Sequence, residues 1–331
     1  MAQMKYYYEL TVSSSPHVHS PVTTTTIMRD VLIALAPAMV MSVCFFGVRA
    51  LLVTLVSVLS CYGFEKLYNK MTKQDDKTYD LSACVTGVLL AFVCPVTVAY
   101  WQIVLGAAFA ILLVKMLFGG LGRNVVNPAL AGRAFMMSWP VAMSTWVKVG
   151  LENAAPIANP VDIVTAATPL ANMHQGLMPE ASIMELFIGN VGGCIGETSA
   201  LALLLGLAYL LYRKVIKITI PAAYIGTVAV LTLLFPQGNP GFAWMLCHLL
   251  GGGLMLGAIF MATDYVTSPL TSLGQIVYGI GCGVLTVMIR YFGGYNEGVS
   301  YAILIMNTCV VLLDRIGRPT KFGAPKKEAA K

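Results

Sequence analysis

Charge is scarce in this sequence: 11% of its 331 residues are Asp, Glu, Lys or Arg, where a soluble globular domain carries about 25%. So thin a polar coat excludes a soluble enzyme, a disordered chain and a nucleic-acid binder driven by phosphate contacts. Metal-ligand spacing is missing too. The eight cysteines (Cys44, Cys61, Cys84, Cys94, Cys194, Cys247, Cys282 and Cys309) each sit in an apolar run, and none forms a C-x-x-C or an iron–sulfur pattern. They read as small buried hydrophobes. Gly279-x-Gly281-x-Gly283 has the wrong spacing for a G-x-G-x-x-G nucleotide loop. The first 26 residues are polar and lack an h-region, so no signal peptide is expected. What is abundant is apolar surface, with 57% hydrophobic residues and a mean hydropathy of +0.76. The 31 Gly and 16 Pro suit membrane helices, where neighbours re-satisfy freed backbone groups. The chain reads as a polytopic membrane protein.

A helix needs about 20 apolar residues to cross about 30 Å of hydrocarbon. Ten stretches approach that length: Met28–Phe46, Ala50–Phe64, Leu81–Val98, Trp101–Phe118, Pro128–Trp146, Ile183–Tyr212, Ile218–Phe235, Phe242–Ala262, Gln275–Phe292 and Val299–Leu313. The expected fold class is therefore all-α, with about ten transmembrane helices. With the N-terminus in the cytoplasm, eighteen of the 21 Lys and Arg fall inside, Lys115 and Arg133 among them, and Arg49, Lys148 and Arg290 fall outside. An odd span count would send the basic C-terminal tail outside.

Five spans on each side of a long polar segment enter the membrane with opposite polarity, as an inverted repeat does. Two internal echoes fit a 5+5 repeat: Gln102-Ile103-Val104 with Gln275-Ile276-Val277, and Phe118-Gly119-Gly120 with Phe292-Gly293-Gly294. The expected organisation is a cytoplasmic tail over 1–27, a first repeat over 28–146 and an extracytoplasmic loop over 147–182. A second repeat over 183–313 and a basic cytoplasmic tail over 314–331 complete it.

Ile183–Tyr212 spans 30 residues, about 45 Å of helix, too long for one straight crossing. Gly189, Gly192, Gly193 and Gly196 lie within it, ahead of Glu197-Thr198-Ser199. The run fits a broken helix lining a cavity, or a tilted helix that uses Gly for close packing. Three acids have no easy route to solvent: Glu185, Glu197 and Asp264. Glu185 and Asp264 lie near span ends, where interfacial solvation suffices; Glu197 lies deepest and is the candidate ion or proton contact. Arg133 fits an acid partner or an anionic ligand. His248 reads as a packed core residue, and the His17-x-His19 pair in the polar tail as a weak metal signal.

The longest internal polar stretch, Val147–Ser182, is of a length that is usually functional. It contains Asp162-Ile163-Val164-Thr165-Ala166-Ala167-Thr168-Pro169. Thr168 fits a plain helix N-cap ahead of Pro169. Its hydroxyl, flanked by small alanines, is also open to a modifying enzyme.

At these residues the chain resembles the membrane subunits of Rnf and Na⁺-translocating NADH:quinone oxidoreductase complexes. Asp162-x-x-Thr165-Ala166-Ala167-Thr168 matches their flavinylation motif D-x-x-[ST]-x-A-T, with Ala166 where Gly is common. Further matches are Ser15-Pro16-His17, Thr86-Gly87-Val88-Leu89-Leu90-Ala91, Phe118 to Asn124 with Asn127-Pro128-Ala129, Gly196-Glu197-Thr198-Ser199 and Met261-Ala262-Thr263-Asp264. The S-P-H start and compact amino terminus favour the Rnf side of the family over the homologous membrane subunit of the quinone reductase. A channel or secondary transporter without redox chemistry is the further alternative.

The resemblance implies an electron-relaying subunit that couples transfer between ferredoxin and NAD⁺ to Na⁺ or H⁺ movement. It implies FMN in phosphoester linkage to Thr168 on the outer face, installed by a flavin transferase. Asp162, Thr165 and Ala167 would then be read by that transferase. In some members a riboflavin binds non-covalently, and Arg123, Asn124, Asn127 and Asp264 are candidate contacts for it or for an ion. Ferredoxin, NAD⁺, iron–sulfur clusters and a second covalent flavin would belong to partner subunits. The expected location is a bacterial or archaeal cytoplasmic membrane, with both termini cytoplasmic.

Overall fold

A computed structural model describes residues 22–73, 78–139, 143, 146 and 168–317. Among these the secondary structure is helical, with no strand. The helices are α1 (Thr24–Phe46), α2 (Val48–Thr72), α3 (Ser82–Phe92), α4 (Tyr100–Met116), α5 (Pro128–Met136), α6 (Pro169–His174) and α7 (Ile183–Ile188). They continue with α8 (Ala200–Tyr212), α9 (Thr219–Leu234), α10 (Gly241–Leu250), α11 (Leu254–Met261), α12 (Ser272–Phe292) and α13 (Val299–Leu313). Each of the ten apolar stretches holds at least one of them.

Three helices, α1, α2 and α12, are long and apolar enough to cross a membrane, and the α10–α11 pair, bent by 63°, makes a fourth if taken as one span. Among the other apolar helices, α4, α9 and α13 are shorter because their apolar runs are, and α3 and α8 because the backbone leaves the helix inside the run. One exit is the one the glycines announce. α7 ends at Gly189 with φ +107°, where a Cβ would lie 2.8 Å from the Ser199 backbone, and helix resumes only at Ala200. A second exit lies within Leu81–Val98, a run the sequence presents as continuous. α3 stops at Phe92, three residues before Pro95, which cannot donate to a helix.

The two exits satisfy each other. Gly196 N–H donates to Phe92 C=O at 2.9 Å and Ile195 N–H donates to Cys94 C=O at 3.0 Å. Buried backbone far from water needs such partners. Arg49 covers two further carbonyls of the same break, Val96 at 2.9 Å and Thr97 at 3.4 Å. Arg290 does the same for the α10–α11 break, donating to His248 C=O at 2.6 Å and Gly251 C=O at 3.3 Å. Two of the three positive charges expected outside thus hold broken helix ends; the third, Lys148, lies outside the described residues.

Glycine sets the close helix approaches. α12 lies on α9 through Gly279 and Gly283, whose added Cβ atoms would come within 2.7 Å of Ala223 and 2.6 Å of Thr227. That four-residue spacing is the small-residue rule of membrane helix pairs, and it accounts for the glycine cluster that fails as a nucleotide loop. Tyr224 and Thr286 share a 2.6 Å hydrogen bond across the same seam. α2 meets α3 at Gly87, whose carbonyl accepts from Ser57 Oγ at 2.7 Å. The members of the sequence echoes occupy matching places: Gln102 and Gln275 lie in the first turns of α4 and α12, and the Phe-Gly-Gly triplets sit at or just past their ends.

Lys115 is a charge that does not face solvent. Expected among the cytoplasmic flank charges, it is buried in a π-helical stretch at the end of α4. Its Nζ lies 2.7 Å from Glu65 Oε2 and donates to Ser82 Oγ at 2.6 Å. Ser82 Oγ in turn donates to Asp80 Oδ1 at 2.6 Å.

Candidate functional site

α6 is a single short helix, and its placement depends on packing. Thr168 is its N-cap, the Oγ accepting from Ala171 N–H at 3.3 Å, with Pro169 at the first helical position. Leu170 and Met173 are buried against Leu186, Trp244 and Cys247. His174 Nδ1 lies 2.7 Å from Arg290 C=O, and Asn239 Nδ2 donates to Gly176 C=O at 2.9 Å. These contacts hold Thr168 on the wall of a cavity of about 250 Å³, lined also by Arg133, Trp146, Glu197, Tyr295 and Tyr301.

Arg133 projects into that wall from α5. Its NH2 lies 2.6 Å from Glu297 Oε2, and its NH1 lies 3.3 Å from Glu197 Oε1 and donates to Ser300 Oγ at 2.8 Å. Glu297 Oε1 also accepts from Gly253 N–H at 2.5 Å. One guanidinium therefore ties α5 to the break before α8, to the break before α11 and to the start of α13. Flank counting places Arg133 in the cytoplasmic set and Thr168 in the outer loop; the structure brings the two to the wall of one cavity. The acid partner that the sequence suggests for Arg133 is present twice, as Glu197 and as Glu297, and the second is one that sequence reasoning misses.

The signal for Glu297 is faint, an acid in Gly293-Gly294-Tyr295-Asn296-Glu297 just before an apolar run. Ligand atoms of Cys194, Glu197 and Glu297 all lie within 4.8 Å of one another. Both carboxylates already accept from Arg133 and, for Glu297, from Gly253, so the set is built as an ion-pair network.

The polar candidates beside α5 gather elsewhere. Asn124, Asn127 and Asp264 line a smaller cavity of about 80 Å³ with Ser82 and Lys115. Asn127 caps α5 through Ala129 N–H at 3.0 Å and donates to Met261 C=O at 3.4 Å. Asp264 accepts from Thr267 Oγ1 at 3.0 Å. Asn124 donates to Val126 C=O at 3.2 Å, while its Oδ1 is buried with no hydrogen-bond partner among the described residues. Arg123 is exposed and lines neither cavity. The two cavities lie at opposite ends of α8, one reaching Thr198 and the other Leu210.

Of the remaining candidates, Glu185 is exposed and closes a capping box with Ser182, accepting from its N–H at 2.7 Å. His248 is a core residue, packed edge-on against Trp244 with ring centroids 4.8 Å apart. Asp162, Thr165, Ala167, His17 and His19 lie outside the described residues.

Residues 11–323 match the model of the NQR2, RnfD, RnfE family. The chain is similar to the D component of the Na(+)-translocating ferredoxin:NAD(+) oxidoreductase complex of Acetobacterium woodii, 46% identical over 97% of this chain and 98% of that protein. It is similar to the D component of the proton-translocating ferredoxin:NAD(+) oxidoreductase complex of Clostridium ljungdahlii, 41% identical over 95% and 96% of the two chains. The D component of an ion-translocating oxidoreductase complex of Aeromonas salmonicida is 34% identical over 96% and 99%.

Proposed function

The chain belongs to the NQR2, RnfD, RnfE family, and on that footing we propose that it relays electrons through an FMN esterified to Thr168 on the outer face of the membrane. It is an Rnf-type membrane subunit of an ion-translocating ferredoxin:NAD⁺ oxidoreductase complex. One observation carries the flavin: the motif Asp162-x-x-Thr165-x-Ala167-Thr168 ends on a hydroxyl that stands in the wall of a cavity of about 250 Å³.

The residues present fit the group. An FMN bound there supplies reversible electron uptake and release. The chain's own part is to hold the tether and shape its surroundings. Thr168 Oγ provides the ester oxygen, and Leu170, Met173 and His174 keep its short helix in place. Trp146, Tyr295 and Tyr301 line the space with aromatic surface and exclude water, while Arg133 offers a fixed positive charge. Asp162, Thr165 and Ala167 serve the flavin transferase.

A riboflavin held without a covalent bond is the further cofactor we propose, at the second cavity, which at about 80 Å³ must open to admit it. Its support is the buried Asn124 Oδ1, without a partner among the described residues, beside Asn127 and Asp264. Ferredoxin, NAD⁺ and the iron–sulfur centres belong to the other subunits, one of which carries a second flavin. The architecture we favour is ten spans as a 5+5 repeat within a cytoplasmic membrane, both termini inside, with loop 147–182 outside. Relatives named as ferredoxin:NAD(+) oxidoreductase components favour this reading over the homologous membrane subunit of the quinone reductase.

The test is flavin fluorescence of the denatured polypeptide on a gel, after co-expression with its transferase. Wild type fluoresces and Thr168→Val does not. Fluorescence that survives the substitution moves the flavin elsewhere; a dark wild type removes the flavin and leaves a transporter.

A further inference from the structure

The cavity beside Thr168 combines three features: aromatic lining, a rigidly held cation, and two acids on that cation. Tyr295 and Tyr301 have ring centroids 5.3 Å apart. Among the described residues lining the cavity, Arg133 is the one Lys or Arg, and Glu197 and Glu297 are the acids. Its side chain is 8% exposed, and the guanidinium is fixed by Glu197, Glu297 and Ser300. A charge so fixed acts without reorganising when a neighbour's charge changes.

We propose that the flavin ring carried on Thr168 folds into this cavity, and that Arg133 sets its reduction potential while Glu297 positions Arg133 and opposes it. The proposal rests on the covalent-flavin reading above. Reduction by two electrons, delivered from reduced ferredoxin through the complex, with one proton taken from water, leaves the ring with one net negative charge. Arg133 favours that charge; the carboxylates of Glu197 and Glu297 disfavour it. Removing the cation leaves two acids facing the ring, so the potential falls. Removing the charge of Glu297 frees Arg133 from one of its two counter-charges, so the potential rises.

The opposite signs are the discriminating feature. A purely structural role for this network would loosen the cavity in either variant and shift both potentials the same way.

The experiment is a potentiometric titration of the Thr168-linked flavin in the purified complex, with attachment scored separately by fluorescence on a denaturing gel. Arg133→Gln retains the flavin and shifts the reduction equilibrium at least tenfold toward the oxidised form, about 30 mV for a two-electron couple. Glu297→Gln shifts it the other way, and Arg133→Lys returns most of the wild-type value. A second measurement needs no variant: emission of the native flavin is quenched by the neighbouring aromatics and shielded from iodide, and both effects vanish on denaturation. Attached flavin with unmoved or same-sign potentials, or native emission as open to iodide as the denatured form, overturns this proposal alone. Absence of flavin from wild-type Thr168 overturns the covalent reading and this one with it.

Discussion

Replacing Lys115 by Met is expected to destabilise the fold by about 3–5 kcal/mol, the cost of breaking a buried pair and leaving a charge behind. The geometry sets the terms. Lys115 Nζ and Glu65 Oε2 are 2.7 Å apart, with side chains 2% and 4% exposed. At an effective dielectric of 20, their gross attraction is about 6 kcal/mol. Desolvating each ion costs several kcal/mol, so the intact pair adds little net stability over an apolar pair of the same shape. Either single substitution is far worse, because it forfeits the Coulomb attraction while the remaining charge keeps its desolvation cost. The doubly substituted Lys115→Met, Glu65→Met chain should therefore be more stable than either single variant, with a coupling energy of about 3 kcal/mol or more. The assay is denaturant unfolding in detergent micelles, followed by tryptophan fluorescence, across the four members of the cycle. Single effects that simply add in the double variant would refute the reasoning, because they would mean each charge is solvated on its own.

Two further substitutions test the fold and its use. Gly87→Ala places a Cβ 2.6 Å from Val58 Cα; backbone must move, and we expect a loss of about 1–3 kcal/mol in the same unfolding assay, with an unchanged midpoint counting against the tight α2–α3 contact. Glu197→Gln should leave gel fluorescence at Thr168 intact while lowering Na⁺ or H⁺ uptake into vesicles holding the reconstituted complex, and normal uptake would remove Glu197 from ion coupling.

Much of the fold is legible in the apolar runs, and the gaps have physical causes. The break at Gly189 is visible because four glycines lie in a run too long for one crossing. The break at Val93–Ala99 is not, because Val93, Cys94, Val96 and Val98 keep the run apolar and only Pro95 interrupts it. Its backbone groups are satisfied by Ile195 and Gly196, about a hundred positions away, and no local pattern encodes such pairing. Counting Lys and Arg by flank likewise sees where a residue lies along the chain but not where its side chain points. Lys115 and Arg133 are the examples. Each is buried and held by acids, Glu65 for one and Glu197 and Glu297 for the other, from distant segments. The N-cap place of Thr168 is legible from sequence alone, because a Thr directly before a helix-starting Pro is a local signal.

The element that joins the two cavities is α5. Asn127 caps it and lines the small cavity; Arg133, six residues on, lines the large one. Six residues of helix rise about 9 Å, against about 30 Å for the hydrocarbon of a bilayer. The cavities at the two ends of α8 therefore approach within two turns of helix at α5. The partition left between them is apolar and tightly filled: Leu130 is fully buried, and Gly196 is so close to the Phe92 ring that no side chain fits. Ion movement through this subunit would require a short barrier, because a charge crosses a thin apolar layer at far lower cost than a thick one. It also needs that barrier closed at rest, or the gradient leaks. The paired helix breaks close this partition, since the Gly196–Phe92 and Ile195–Cys94 hydrogen bonds satisfy their backbone within it, and Glu197 at the end of one break faces the large cavity.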